Sequence, residues 1–246
     1  MASRNTRALS RWSGPAEVTV WRWDGFLDYL FNRYLLEGAA ISVALTAAAL
    51  VCGLLIGLGI AVLRLSANRV LRGLAGFYCW IFRGTPLLVQ LLVIYTGLPL
   101  FGLRFSVWEA ALLGLSLNEA AYLSEILRAG ILAVPKGQRE AALALGLRHG
   151  QVFRLVTWPQ ALRIVIPPLG NSVNGLLKTT SVASVISVDE LLRRTQILIQ
   201  ERFLVLELFA VAALYYLLMT TLWDLVQRRL ERRYGRGYGT EAADHR

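Results

Sequence analysis

Between Glu37 and Arg64 the chain carries no charged residue, so residues 38 to 63 form an uninterrupted apolar run. That exceeds the roughly 20 residues a helix needs to cross hydrocarbon. A run of this length leaves little choice of solvent. The rest of the composition agrees, with 56% apolar residues, 17% charged residues and a mean hydropathy of +0.51. The apolar residues fall in blocks, not at the amphipathic spacing of a water-soluble core.

Four further spans are expected. One is the run between Arg83 and Arg104, extended backwards by the apolar stretch before Arg83 and broken at Gly84 to Pro86. The others are residues 105 to 127, carrying Glu109, Glu119 and Glu125; residues 164 to 188, interrupted by Lys178; and residues 203 to 223. The fold class is therefore all-α and polytopic, with five transmembrane helices and termini on opposite sides.

The net charge of +10 is read as topology, not nucleic-acid binding. If the C-terminal tail is cytoplasmic, that side receives Arg64, Arg69, Arg72 and Arg83, then Arg128, Lys136, Arg139, Arg148, Arg154 and Arg163, then the run RRLERRYGR. The other side receives Arg104, Arg193, Arg194 and Arg202, plus five arginines before the first span. Because Trp12, Trp21, Trp23 and Tyr29 are interleaved with those five, residues 1–37 read as an external interfacial segment in which FLDYLFNRYLL forms a short amphipathic helix. No apolar h-region follows the first basic residues, so a cleavable signal peptide is not expected. Residues 38–228 form the membrane domain and residues 229–246 a basic cytoplasmic tail. His149, His245, Cys52 and Cys79 make no metal-ligand cluster and no disulfide framework, and no catalytic or metal residue is assigned.

The loop 129–163 is too regular to be a slack connection. Glu140 to Leu145 favours helix, Gly146 can end it, and Gln151 to Trp158 restarts one before Pro159. This cytoplasmic helix-turn-helix leaves Leu143, Leu147, Val152 and Phe153 seeking a surface: either its own bundle, as a structural elbow, or a partner.

Polar residues in the spans are spaced. Asn118, Tyr122 and Glu125 share one helical face, with Glu119 about 100° away, and Asn171, Asn174, Lys178 and Ser181 form a second stripe. Glu119, Glu125 and Lys178 facing lipid would together cost on the order of 10 kcal/mol, so they face protein or water. Two readings stand: an ion pair of Glu125 with Lys178 that joins two helices, or a cavity for a small zwitterion. In the second, Asn118, Glu119 and Glu125 take the ammonium, and Lys178, Thr180 and Ser181 the carboxylate, with Tyr122 and Asn174 lining the same space. Arg83 is either a snorkelling anchor or a gate, and the Gly-Thr-Pro after it permits a kink at Pro86 whose freed carbonyls line a path.

Glu140, Ala141, Ala142, Gly146, Val156 and Pro159 match in order and spacing the EAA motif of permease subunits of ATP-binding-cassette (ABC) importers, with Trp158 in place of the usual leucine. FRGTPLLVQ, AAYLSEILRAGILAVPKGQREAALALG and LLKTTSVASVISVDEL resemble its polar amino acid (histidine/glutamine-type) branch, over residues 35 to 230. Thr179 stands where many members carry aspartate. The resemblance implies the type I importer fold and a bacterial inner-membrane location, with the loop as a coupling helix seated in an ATPase subunit. It also implies two permease subunits, identical or not, two ATPase subunits and an external amino-acid-binding protein, working by alternating access in the lipid bilayer. The chain has no G-x-x-x-x-G-K-[ST] loop, so it is expected to bind no cofactor itself, with ATP used by the partner. From the residues alone, an ion-gradient-driven carrier with a carboxylate relay is the rival reading.

Overall fold

A computed structural model describes residues 21–234, and every described element is helical. The arginines and Trp12 ahead of residue 21, and the tail from 235 with His245, lie outside the described residues.

The chain enters through α1 (Trp23–Leu30), where Trp21, Trp23 and Phe26 pack edge to face. The expected helix FLDYLFNRYLL is in fact two pieces. Asn32 accepts a hydrogen bond from the backbone N–H of Tyr34 at 2.9 Å and thereby starts α2 (Arg33–Leu65). This first span outruns the charge-free run at both ends. Its buried face is a stripe of small residues including Ser42, Ala49, Gly53, Gly57 and Ala61. The stripe admits α5 (Val107–Leu132) at close range: a β-carbon on Gly57 would stand 2.9 Å from the Ala120 carbonyl oxygen, and one on Gly53 3.2 Å from Glu119.

Asn68 caps α3 (Arg69–Gly84), which ends at Thr85. Then α4 (Leu87–Leu92) leaves and continues through a wide turn at Val93–Gly97 and a tight one at Leu98–Phe101. The expected break at Gly84 to Pro86 is a bend of 104° between the two halves. Proline supplies no N–H to Phe82 four residues earlier and drives Thr85 into extended backbone, at φ −117° and ψ 146°. A capping box of Ser106 with Glu109 opens α5.

The elbow holds α6 (Lys136–Ala144) and a short α7 (His149–Val152), which passes through a π-helical turn at Phe153–Thr157 into α8 (Trp158–Thr179). Pro159 therefore does not stop a helix. It follows closely on the π-helical turn, a local break in the regular hydrogen-bond ladder at the place where its N–H is missing. A 3-10 segment, Thr180–Ile186, leads to α9 (Leu191–Arg202), which the hydropathy pattern does not announce. The last helix, α10 (Val205–Tyr234), packs its N-terminal half on α1, α2 and α9 through Leu35, Leu191, Leu208, Val211 and Tyr215.

By length and composition, α2 and α10 can each cross a membrane, and the bent pair α3 and α4 makes up to three such spans. With Glu109, Glu119, Glu125 and Arg128, α5 is long enough, at about 39 Å for 26 residues, but too charged to stand out.

Candidate functional site

The break between α3 and α4 and the facing sides of α5 and α8 border a half-polar, partly open chamber of about 370 Å³. Pro86, Asn118, Glu119, Tyr122, Ser172 and Thr179 are among its walls. Tyr122 and Ser172 also wall a second chamber of about 630 Å³ toward the elbow, which Arg83, Glu125 and Asn171 line. The two spaces thus meet along one helical face.

Asn118 points into the break. Its amide nitrogen donates to the Phe82 carbonyl and to Gln90 Oε1, each at 3.0 Å. Gln90 Nε2 donates in turn to the carbonyls of Phe82 and Thr85, at 3.0 and 3.1 Å, and to Thr85 Oγ1 at 2.8 Å. These side chains satisfy the backbone acceptors that the bend strips of helical partners. The expectation that freed carbonyls line a path is therefore corrected for Phe82 and Thr85, whose oxygens are occupied.

Glu119 is 7% exposed, backed by the bare backbone of Gly53, and accepts a hydrogen bond from Ser172 Oγ. It has no ion-pair partner among the described residues. Tyr122, half exposed, separates Glu119 from the elbow-side chamber.

Glu125 does not meet Lys178. Its carboxylate is held by Arg64 from the end of α2 and by Arg128 of its own helix, whose Nε donates at 2.8 Å; Arg83 lies at 3.8 Å. The reason is axial. Glu125 is about 10 Å from the elbow end of α5, whereas Lys178 is about 30 Å along α8 from that end.

Most of the α8 stripe also faces away from these spaces: of its residues only Asn171 reaches one, the second chamber. Asn174 donates to Asp224 of α10 at 2.6 Å, and Gln227 donates to Asn171 Oδ1 at 3.3 Å. Lys178 and Ser181 line a separate groove of about 560 Å³ with Tyr216 and Thr220. Thr180 is fully buried and donates to the Leu177 carbonyl at 2.8 Å. The chamber is lined instead by Ser172, Gly175 and Thr179, a face roughly 120° around α8 from the predicted stripe.

The sequence reading thus brings Pro86, Asn118, Glu119 and Tyr122 to one chamber and Arg83 and Glu125 to the next. It misses Arg64, Gln90, Ser172 and Thr179. Ser172 and Thr179 are seven residues apart, two turns on one face, and that spacing is the signal that finds them.

In the elbow, Gly146 has φ +84°, and its N–H donates to Leu143 while that of Leu147 donates to Ala142, at 2.9 and 3.2 Å. This is a Schellman stop. Glu140 and Ala141 are exposed, Ala142 is buried, and Leu143, Leu145, Phe153 and Leu155 present apolar surface. Val152 is buried instead.

Residues 28–236 match the family described as binding-protein-dependent transport system inner membrane component. The chain is 38% identical over 229 residues to the arginine transport system permease protein ArgU of Corynebacterium glutamicum, covering 87% of this chain and 72% of that one. It is 40% identical over 215 residues to the L-cystine transport system permease protein TcyB of Bacillus subtilis, covering 87% and 92%. It is 39% identical over 199 residues to a putative glutamine transport system permease protein, GlnP, of Rickettsia felis, covering 78% and 91%. A crystal structure titled as an amino acid ABC transporter with histidines superposes with a TM-score of 0.80 at 37% identity, over 85% of this chain and 98% of that chain. The MetNI methionine transporter in an inward-facing form shares the fold, with a TM-score of 0.69 at 21% identity over 82% and 96%. Nothing in these likenesses supports the ion-gradient carrier. The chain is a membrane-embedded, helical permease component without an ATPase of its own, and it belongs to the binding-protein-dependent transport system inner membrane component family.

Proposed function

We propose that this permease carries an amino acid inward across a bacterial inner membrane by alternating access. It crosses the bilayer five times, through α2, the bent α3 and α4 pair, α5, α8 and α10. Its α10 end and its elbow are cytoplasmic, and its N-terminal segment is external. Two copies, or one copy with a second permease, receive cargo from an external amino-acid-binding protein. ATP is hydrolysed by a separate ATPase pair, and the chain binds no cofactor. The arginine, glutamine and cystine permeases at 38–40% identity support the substrate class.

The observation that carries the reading is Glu119. A buried carboxylate with no cationic partner among the described residues, in a chamber that shares Tyr122 and Ser172 with a second one, is costly to keep ionised unless a cation visits it. The amino acid's ammonium supplies that cation, with Asn118, Tyr122 and Ser172 around it. Lys178, Thr180 and Ser181, turned toward α10 and their own helix, take no part in this chain's chamber. The exposed Leu143, Leu145 and Phe153 beside Glu140, Ala141 and the Gly146 stop form the face that seats in the ATPase, while Pro159 continues that segment into α8. Glu119→Gln tests the site: assembly with the ATPase should be unchanged and ATP-driven uptake lost. Uptake at the wild-type rate would place the site elsewhere.

A further inference from the structure

Three arginines from three helices surround one carboxylate at the elbow end of the path. Arg64 and Arg128 hydrogen-bond both oxygens of Glu125. Arg83 stands apart at 3.8 Å, beyond hydrogen-bond reach, with its guanidinium carbon 5.5 Å from the centre of the Tyr122 ring. Its side chain is 43% exposed, against 22% and 29% for the other two. Among the described residues none of its N–H donors is taken. Of the three, Arg83 alone lines the 630 Å³ chamber. The cluster carries two positive charges more than Glu125 neutralises.

A guanidinium with five free donors, stacked beside an aromatic face and half withdrawn from water, is arranged to accept a planar anion in bidentate fashion. Glu125 pairs with Arg83 by charge alone at 3.8 Å and accepts no hydrogen bond from it, so the Arg83 donors stay open to a second anion. Arg83 also sits three residues before Pro86, at the bend that walls the upper chamber, so one hinge borders both spaces.

We propose that the elbow-side chamber is an exit site in which Arg83 takes the α-carboxylate of the departing amino acid. The handover is by opposite charges: Glu119 holds the ammonium in the upper chamber, and about 9 Å further along α5, past Tyr122, Arg83 offers the carboxylate its next partner. This rests on the proposed amino acid import. It predicts that cargo on the cytoplasmic side re-enters the chamber and slows transport.

The test uses the full complex with ATPase and binding protein in proteoliposomes with ATP inside. The lumen is preloaded with L-glutamine or L-arginine, whichever the wild type imports, with its α-carboxamide, or with inorganic phosphate. Luminal amino acid should slow wild-type import, the carboxamide should not, and Arg83→Gln should need about tenfold more luminal amino acid for the same effect. Arg83→Lys should retain part of the sensitivity, because charge without the planar fork remains. Equal inhibition of wild type and Arg83→Gln, or equal inhibition by the carboxamide, would overturn the site. Phosphate inhibiting as strongly as the amino acid would overturn its assignment to the cargo carboxylate. Failure of the underlying import reading looks different: the wild type would show no ATP-driven uptake at all.

Discussion

Replacing Asn118 by leucine should destabilise the subunit through the bend between α3 and α4, and the size of the effect should depend on Pro86. The asparagine makes two interhelical hydrogen bonds, to the Phe82 carbonyl and to Gln90 Oε1. Such bonds within membranes average about 0.6 kcal/mol, with a maximum near 1.7. Phe82 keeps the Gln90 amide at 3.0 Å, whereas Gln90 Oε1, in a side chain only 8% exposed, keeps no described donor. The expected loss is about 1–2 kcal/mol. In a Pro86→Ala background the chain regains an N–H and Thr85 is no longer forced into extended backbone, so α3 can lengthen by a turn and satisfy Phe82 itself. The Asn118→Leu penalty should then fall by about 0.6 kcal/mol, the share of the Phe82 bond, while the cost at Gln90 Oε1 remains, a coupling that a double-mutant cycle isolates. The assay is reversible unfolding of the purified subunit in mixed micelles, with the four variants side by side. Equal penalties in both backgrounds would refute the claim that Asn118 serves the proline break.

The other expectations are briefer. Gly57→Val should cost about 1–3 kcal/mol and lower the yield of folded subunit, because its β-carbon would stand 2.9 Å from the Ala120 carbonyl oxygen; unchanged thermal stability would contradict the α2 and α5 packing. Gly146→Ala should strain the elbow by about 1–2 kcal/mol and weaken ATPase co-purification, with Gly146→Asn milder; here open space around the glycine leaves only φ +84° as the cause, so equal retention by both variants as in wild type would dismiss it. Arg64→Met should destabilise the C-terminal end of α2 more than Arg83→Gln does, since Arg64 bonds Glu125 directly and Arg83 stands at 3.8 Å; the reverse order in thermal unfolding would undo the assignment of roles.

Much of this arrangement is written locally. The charge-free run that gives α2, the proline that bends α3 from α4, and the glycine that stops α6 each act within a few residues, so the sequence exposes them. The clustering of Asn118, Tyr122 and Glu125 on one face is also local geometry. What the sequence hides is which face of α8 meets α5. Two polar faces compete there, and the residues of α10 decide between them: Asp224 and Gln227 claim Asn174 and Asn171, leaving Ser172 and Thr179 for the chamber. Axial position is hidden in the same way, because Glu125 and Lys178 look complementary as a list of charges and lie far apart once α5 and α8 run antiparallel. Arg64 escapes notice since a terminal arginine after an apolar run reads as a topology signal. The helix α9 is missed because its outward residues are polar, while Glu190, which caps it through the N–H groups of Leu192 and Arg193, is buried beneath it.

The most direct measurement is uptake of labelled amino acid into proteoliposomes holding this permease, its ATPase and its binding protein. Uptake should require luminal ATP and the ATPase, persist when ionophores collapse every ion gradient, and vanish in Glu119→Gln complexes that still hydrolyse ATP. Uptake that proceeds without the ATPase and follows an imposed ion gradient would contradict the account.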